Sequence, residues 1–230
     1  MPKASKSWLF LLYLIMKTIS LEKAKQMNFM RRIDVKYVLN NSLLSKISDY
    51  IFDNFYIVKD QKNEMFLKYY SLYYDTDDMK MHKDHINKKP HRQKIRIREY
   101  ESHDKFIEIK DKNDHITNKI RIPVTSYEID GEKQWISDNL IYDTNTLKRK
   151  LEVTFYRMTF ISFDNKIRMT IDSYIKFYNY ITNKEKNIND IVIEIKKNNE
   201  EKTDIENKLN EIGIQESGFS KYNIGLQLTS

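Results

Sequence analysis

Charged and apolar residues alternate along the segment from His91 to Tyr100. In an extended strand, successive side chains point to opposite faces, so this alternation predicts a strand with one charged and one apolar face. The charged face carries Arg92, Lys94, Arg96 and Arg98, and the other face carries Ile95 and Ile97. Like charges placed in line repel one another. The pattern therefore predicts a ligand that is dense in negative charge.

The same alternation recurs in five further segments. They are 32–37, 107–112, 119–122, 167–172 and 193–196. Roughly six strands with one pattern predict an α+β fold in which an antiparallel sheet of about eight strands closes into a β-barrel. The charges would then line the lumen, and helices would cover the apolar outer face. The alternative is a set of open antiparallel strands whose charged faces are solvated.

Composition narrows the class of partner. The 230 residues include 40 Lys and Arg against 33 Asp and Glu, a net charge of +7, which fits an anionic partner. The basic residues stand in strands beside carboxylates, and no nucleic-acid-binding module is present, so we expect no nucleic acid partner. The chain has only 4 Gly and no phosphate-binding loop motif, so side chains would have to bind phosphate. The absence of cysteine excludes disulfides and thiolate metal sites.

The N-terminal residues precede the first of the alternating segments. We predict that residues 1–26 are an N-terminal extension, not necessarily part of the domain, and that residues 27–230 form the domain. The apolar run from Trp8 to Met16 is too short to span a bilayer as a helix. We predict a cytoplasmic protein. The alternative is association with a membrane, through this extension or through an unidentified partner.

Nine short motifs resemble, in order, those of the VTC (vacuolar transporter chaperone) domain family, which belongs to the triphosphate tunnel metalloenzymes. They are 32–37, 73–77, 92–100, 108–110, 119–121, 155–157, 167–172, 194–196 and 219–222. The resemblance covers about residues 30 to 226. The chain departs from the family pattern at Asp34, where Glu is usual, and at Phe155, where Tyr is usual.

The resemblance implies a metal-dependent phosphotransferase. It would be a polyphosphate polymerase that moves the terminal phosphoryl group of ATP to a growing polyphosphate chain inside a basic tunnel, with Mn or Mg as cofactor. ATP or another triphosphate and inorganic polyphosphate are the implied ligands. The implied catalytic residues are Arg96, Arg98, Arg157, Arg168 and Lys221. The implied substrate-binding residues are Arg32, Lys36, Lys94, Lys110, Lys196 and Ser220.

The resemblance makes Glu194 the metal ligand, with an ion pair to Lys196 as the alternative role. Asp172 is expected to hold an arginine in position, whereas Asp34 and Glu108 could either bind metal or hold an arginine. For Lys221 the alternative is an exposed loop after a last helix at about 201–212.

Two other functions stay open. The first is a hydrolase of the same superfamily, acting on inorganic or organic triphosphates. Such hydrolases generally open with Glu-x-Glu-x-Lys, and this chain has Arg32-x-Asp34-x-Lys36. The exchange removes a carboxylate suited to a water-activating metal and adds a phosphate ligand, which favours the polymerase. The second is a non-catalytic module that binds polyphosphate.

Overall fold

The computed structural model describes residues 16–26, 33–114 and 116–230. Arg32 and most of the apolar run after Trp8 lie outside these ranges. The chain divides into two compact units. Unit 1 comprises residues 1–67, 156–173 and 189–219, and unit 2 comprises residues 68–155, 174–188 and 220–230. Within the described ranges, no helix has the length and apolar character needed to cross a bilayer.

The described strands are β1 (Thr18–Ser20), β2 (Ile33–Asn40), β3 (Phe55–Lys59), β4 (Leu67–Asp75), β5 (His91–Glu99), β6 (Lys105–Asn113), β7 (Ile116–Val124), β8 (Lys148–Ser162), β9 (Arg168–Asn179), β10 (Glu185–Ile188) and β11 (Asp190–Lys197). The described helices are α1 (Leu21–Lys25), α2 (Ser45–Asn54), α3 (Lys80–Ile86), α4 (Lys133–Asn139), α5 (Asp204–Glu211) and α6 (Lys221–Leu228). The fold is therefore α+β, as predicted.

The strands form one 11-stranded sheet with the hydrogen-bonded order β2-β11-β9-β8-β4-β5-β6-β7. β3 pairs with β8 and with β1, and β10 pairs with β9. The predicted closed barrel of about eight strands is wrong in both respects. In the described part of the chain, the end strands β2 and β7 are not hydrogen-bonded to each other. β3, which lies in a region predicted to be extended, packs apolar side chains on both faces.

The core of unit 1 lies on the apolar face of β2, β9 and β11. Ile47 and Ile51, one turn apart on α2, pack into it together with Ile205 and Leu209 of α5. Residues 16–26 belong to unit 1 and pack within it. Met16 joins this core, and β1 pairs with β3 in parallel. The predicted domain boundary near residue 26 stays a prediction.

The core of unit 2 confirms the predicted faces of the basic strand. Ile95 and Ile97 of β5 are fully buried beside Ile107 and Ile109 of β6. Met81 of α3 belongs to the same core. Because side chains alternate along β5, its basic residues lie on the opposite face, where they meet the residues of the candidate site.

Candidate functional site

Arg96 lies at the centre of the charged face of unit 2. Strand pairing places it directly between Tyr73 of β4 and Glu108 of β6. Its guanidinium donates to Glu108 Oε2 from Nε (2.9 Å) and Nη2 (2.6 Å), and to the Tyr73 hydroxyl from Nη1 (2.9 Å). A planar guanidinium held on two sides has little freedom left, so Arg96 is fixed before any ligand arrives.

The Glu108 carboxylate contacts several polar side chains of this charged face. It is 2% exposed, and its Oε1 accepts from Lys119 Nζ at 2.7 Å and from the Tyr100 hydroxyl at 3.2 Å. Burial raises the pKa of Glu108, but the cations around it, chiefly Arg96, lower the pKa further, and the net result lies well below the usual range. In turn, burial lowers the pKa of Lys119 to about 8, although its contact with Glu108 acts in the opposite direction. Of the two roles left open for Glu108, the structure shows the contacts of the holding role.

Arg98 and Lys221 lie against aromatic rings. The Arg98 guanidinium carbon is 5.7 Å from the centre of the Tyr69 ring and 5.9 Å from that of Phe155. The Lys221 ammonium lies 4.6 Å from the centre of the same Phe155 ring. Cation–π contacts of this kind orient a cation while using few of its hydrogen-bond donors. Phe155, which replaces the family's usual Tyr, still offers a ring for these contacts.

Helix α6 brings Ser220 to the basic strand. Lys94 Nζ donates to Ser220 Oγ at 2.9 Å and to Asn223 Oδ1 at 2.8 Å. The exposed-loop alternative for Lys221 is wrong, because Lys221 begins a helix after the one at 204–211. Lys110 lies opposite both Lys94 and Lys119 in the strand pairing. Like charges facing each other across strands are unfavourable unless an anion joins them.

The motif at 73–77, in which Asp75 and Thr76 follow two tyrosines, positions Tyr73 in the site. Asp75 accepts from the backbone N–H groups of Thr76, Met81 and His82, which fixes the start of α3. The Tyr222 hydroxyl donates to Asp75 Oδ2 at 2.6 Å, and its ring stacks on Tyr73 at 5.0 Å between centres. Sequence reasoning did not assign a role to either tyrosine. The Tyr73–Asp75 spacing was visible in the motif, but Tyr222 offered no signal beyond following Lys221.

We call this set the unit 2 cluster: Tyr73, Lys94, Arg96, Arg98, Glu108, Lys110, Lys119, Ser220 and Lys221. Burial raises the pKa of the Tyr73 phenol, but Arg96, Arg98 and Lys221 lower the pKa further, so that it lies below its usual value. A lowered phenol pKa reports a strongly positive potential at that oxygen. The unit 2 cluster can therefore stabilise negative charge.

Three neighbouring strands of unit 1 carry a second set of charges. Lys36 of β2 pairs with Glu194 of β11, and Glu194 pairs with Thr170 of β9. In the adjacent row, Asp34 pairs with Lys196 and Lys196 with Arg168. With the Arg157–Asp172 pair described next, these residues form the unit 1 cluster: Asp34, Lys36, Arg157, Arg168, Thr170, Asp172, Glu194 and Lys196.

Asp172 holds Arg157 by a bidentate contact. Arg157 donates from Nε at 2.6 Å and from Nη2 at 2.8 Å to the two oxygens of the buried Asp172 carboxylate. This is the holding role expected for Asp172. A bidentate guanidinium–carboxylate pair fixes both position and plane. Arg157 is thereby presented as a rigid group, like Arg96 in unit 2.

Glu194 is surrounded by cations. Its Oε2 is 2.8 Å from Lys196 Nζ, and its Oε1 is 3.9 Å from Lys36 Nζ. Burial raises the pKa of Glu194, but Lys196, Lys36 and Arg157 lower the pKa further, leaving it well below the usual range. Glu194 is thus an anion in an electropositive setting. The structure contains the predicted alternative contact with Lys196, and the metal role of Glu194 stays a prediction.

The donor set of unit 1 fits a metal ion only in part. Across the described residues, no group of three or more His, Cys, Asp and Glu side chains could hold a metal ion. Lys196 Nζ nevertheless contacts two carboxylates, Glu194 and Asp34, and the buried Thr170 Oγ1 has no hydrogen-bond partner among the residues that the structure describes. Mg²⁺ in nucleotide enzymes is commonly bound by one or two carboxylates together with substrate phosphates. The residues therefore fit a metal ion that is shared with phosphates.

The predicted residues fall into both clusters. Unit 1 contains Lys36, Arg157, Arg168, Glu194 and Lys196, and unit 2 contains Lys94, Arg96, Arg98, Lys110, Ser220 and Lys221. Arg32 lies outside the described residues. The assigned catalytic and substrate-binding roles stay predictions. The structure shows the holding contact expected for Asp172 and the holding contacts of Glu108. It adds Tyr73, which accepts from Arg96, and Asp75, which accepts from Tyr222.

Comparison with known proteins gives one family match and several structural likenesses. A family model of the VTC domain matches residues 31–230. A Bacillus halodurans protein described as a candidate adenylate cyclase has 15% identity and a TM-score of 0.54, over 83% of this chain and 94% of its own. A Hippeastrum protein described as a candidate adenylyl cyclase with a dominant triphosphatase activity has 13% identity and a TM-score of 0.53, over 86% of this chain and 97% of its own. These likenesses show the fold. No relative was found among curated proteins.

Proposed function

The chain belongs to the VTC domain family, and on that premise we propose that it is a polyphosphate polymerase. It transfers the terminal phosphoryl group of ATP to a growing polyphosphate chain with the help of a divalent metal, Mn or Mg. Membership of a family of triphosphate tunnel enzymes supports the substrate class. The two clusters support it independently, because both present cations that are already held in place.

The side chains act by positioning and by neutralising charge. Arg96, Arg98, Arg157 and Arg168 bind phosphate oxygens through their planar guanidinium groups, and lysines such as Lys94 and Lys36 act as point charges. A loose phosphoryl-transfer transition state spreads negative charge over its oxygens, so fixed cations lower its free energy. No covalent intermediate on the protein is needed. When bound at Glu194, a divalent metal would add positive charge at the phosphate oxygens.

The observation that favours transfer over hydrolysis is the small number of carboxylates beside Glu194. Lys196 contacts Asp34 and Glu194, and in the described part of the chain no group of three or more His, Cys, Asp and Glu side chains could hold a metal ion. The hydrolase pattern would place a further carboxylate at position 32, where this chain has Arg. A site with fewer metal ligands is less suited to activating water, and an added arginine is suited to a polyanionic acceptor.

Incubation of the purified protein with ATP and Mn²⁺ tests the proposal. The products are run on a gel that resolves polyphosphate, and released phosphate is measured in parallel. Chain growth supports the polymerase, whereas released phosphate alone contradicts it and supports the hydrolase. Lys176→Met is a matched control variant, because Lys176 forms an exposed ion pair with Glu185 outside both clusters. This variant should retain full activity.

The hydrolase is the second candidate. The Hippeastrum protein, with its dominant triphosphatase activity, shares the fold of this chain at 13% identity. Its activity makes hydrolysis of a triphosphate the next reaction to assay. Binding of polyphosphate with neither growth nor hydrolysis would indicate a non-catalytic module.

A further inference from the structure

The Lys196 ammonium contacts two carboxylates of unit 1. It is 2.8 Å from Glu194 Oε2 and 3.6 Å from Asp34 Oδ2. Both carboxylates come from the charged faces of adjacent strands, at fixed register positions. The ammonium therefore provides the charge compensation that a metal ion would otherwise provide at this place.

The Thr170 side chain supplies a third oxygen beside Asp34 and Glu194. Thr170 lies directly across from Glu194 in the β9–β11 pairing, so their side chains share one face. Its side-chain oxygen is buried, with the residue 1% exposed, and makes no hydrogen bond within the described part of the chain. A buried hydroxyl without a partner is unfavourable in the folded state. We interpret the Thr170 hydroxyl oxygen as one that binds a ligand.

Building on the proposed function, we propose that Lys196 is the resident cation of a divalent-metal site formed by Asp34, Glu194 and Thr170, and that the metal displaces Lys196 when it arrives with a triphosphate. The displaced ammonium then binds the phosphate chain. Lys196 thus neutralises the two carboxylates in the ligand-free protein and binds the substrate phosphates in the complex.

The surrounding charges make this exchange depend on the triphosphate. Besides Lys196, the unit 1 cluster holds Lys36, Arg157 and Arg168, which repel an added cation. A metal ion alone must overcome this repulsion and leave an ammonium without its carboxylate partner. A metal bound to a triphosphate brings compensating negative charge, and phosphate oxygens complete its coordination. Mn²⁺ should therefore bind weakly alone and tightly in the presence of tripolyphosphate.

Mn²⁺ binding, read by the loss of the free-ion EPR signal, tests the inference without turnover. In the absence of tripolyphosphate, Lys196→Met should bind Mn²⁺ about tenfold more tightly than wild type or more, because a positive charge has left the site. Lys176→Met removes a lysine from an exposed Lys–Glu pair elsewhere and should match wild type. Lys196→Gln serves as a second variant if Lys196→Met does not fold.

Thr170→Val tests the third oxygen separately. The change removes an unpartnered hydroxyl, so the melting temperature should stay the same or rise. Placed in the Lys196→Met background, it should weaken Mn²⁺ binding about tenfold. A Lys196 variant with wild-type Mn²⁺ affinity would overturn the resident-cation role, and unchanged affinity in the Thr170 variant would remove that ligand. Neither result would contradict the proposed polymerase function, because the polymerase assay measures the products formed from ATP and these experiments measure Mn²⁺ binding.

Discussion

Both hydrogen bonds that Arg96 gives to Glu108 end on one carboxylate oxygen, Oε2, at 2.9 Å and 2.6 Å. The other oxygen, Oε1, accepts from Lys119 on the next strand at 2.7 Å. One buried carboxylate therefore fixes cations on two neighbouring strands. In unit 1 the buried Asp172 carboxylate holds Arg157 through both of its oxygens. Each unit therefore has an arginine fixed by a buried carboxylate.

Replacing Arg96 by Lys should lower ATP turnover about 10- to 100-fold, although the charge is kept. A lysine cannot contact Glu108 and Tyr73 together in the plane that a guanidinium occupies. Arg149→Lys is the control, because Arg149 pairs with Glu128 outside the unit 2 cluster. Turnover and tripolyphosphate affinity are measured for both variants. Equal behaviour of the two would show that the plane of Arg96 has no role.

The low pKa of Glu108 predicts how stability depends on acid. In the unfolded chain this carboxylate should have a pKa of about 4.3, and the folded pKa lies well below that value. Its contribution to the free energy of unfolding is thus complete above the unfolded pKa and is lost as the pH falls toward the folded pKa. Between about pH 5 and pH 3, wild type should lose stability more steeply than Glu108→Gln. Urea unfolding at several pH values measures this, and parallel curves would contradict it.

Gly225 allows α6 to lie close to β8 and β9 in unit 2. A Cβ atom added there would come within 2.5 Å of Phe177 Cδ1 and 2.6 Å of Leu151 Cδ2. Gly225→Ala should therefore lift the helix and cost about 1–3 kcal/mol in the free energy of unfolding. It should also lower activity, since Ser220 and Lys221 stand at the start of this helix.

Gln227→Ala is the control for that prediction, because Gln227 is exposed on the same helix. Denaturant unfolding and ATP turnover are measured on both variants. If Gly225→Ala were as stable and as active as Gln227→Ala, the close packing of α6 would have no functional consequence.

A buried ion pair in unit 1 should matter for stability alone. Lys197 Nζ donates to Glu206 Oε2 at 2.7 Å, with side chains only 4% and 3% exposed. Lys197→Met leaves a buried carboxylate unpaired and should cost about 3–5 kcal/mol in the free energy of unfolding. The exposed Lys176–Glu185 pair is the control, and Lys176→Met should cost less than about 1 kcal/mol. Equal losses would mean that burial of the Lys197 pair is unimportant.

The alternation of β5 was predictable from the sequence because it is local. Ile95 and Ile97 are buried as expected, since a period of two needs only adjacent residues. The partners of Arg96 were not predictable in the same way. Glu108 and Tyr73 reach it through strand pairing, which depends on register and on the order of strands.

Lys197 shows a second limit. In β11 it follows Lys196 and lies on the apolar side, where the pattern predicts a hydrophobic residue. Its partner Glu206 is on α5, in the first turn of a helix capped by Thr203. A buried charge is acceptable only with such a partner, and a partner distant in the sequence leaves no local signal. Helix α6 was not predicted, because its first residues belong to the motif at 219–222, for which the sequence suggested phosphate binding or an exposed loop.

Thermal unfolding with tripolyphosphate tests the central claim most directly, that the held cations of the two clusters bind a triphosphate chain. A ligand that binds only the folded state stabilises it by about 2.7 kcal/mol at a hundredfold excess over its Kd. We predict that low-millimolar tripolyphosphate raises Tm by several degrees, that sulfate at equal ionic strength does much less, and that Arg157→Ala and Arg168→Ala reduce the gain. Equal stabilisation by sulfate and tripolyphosphate would be a general salt effect and would contradict the account.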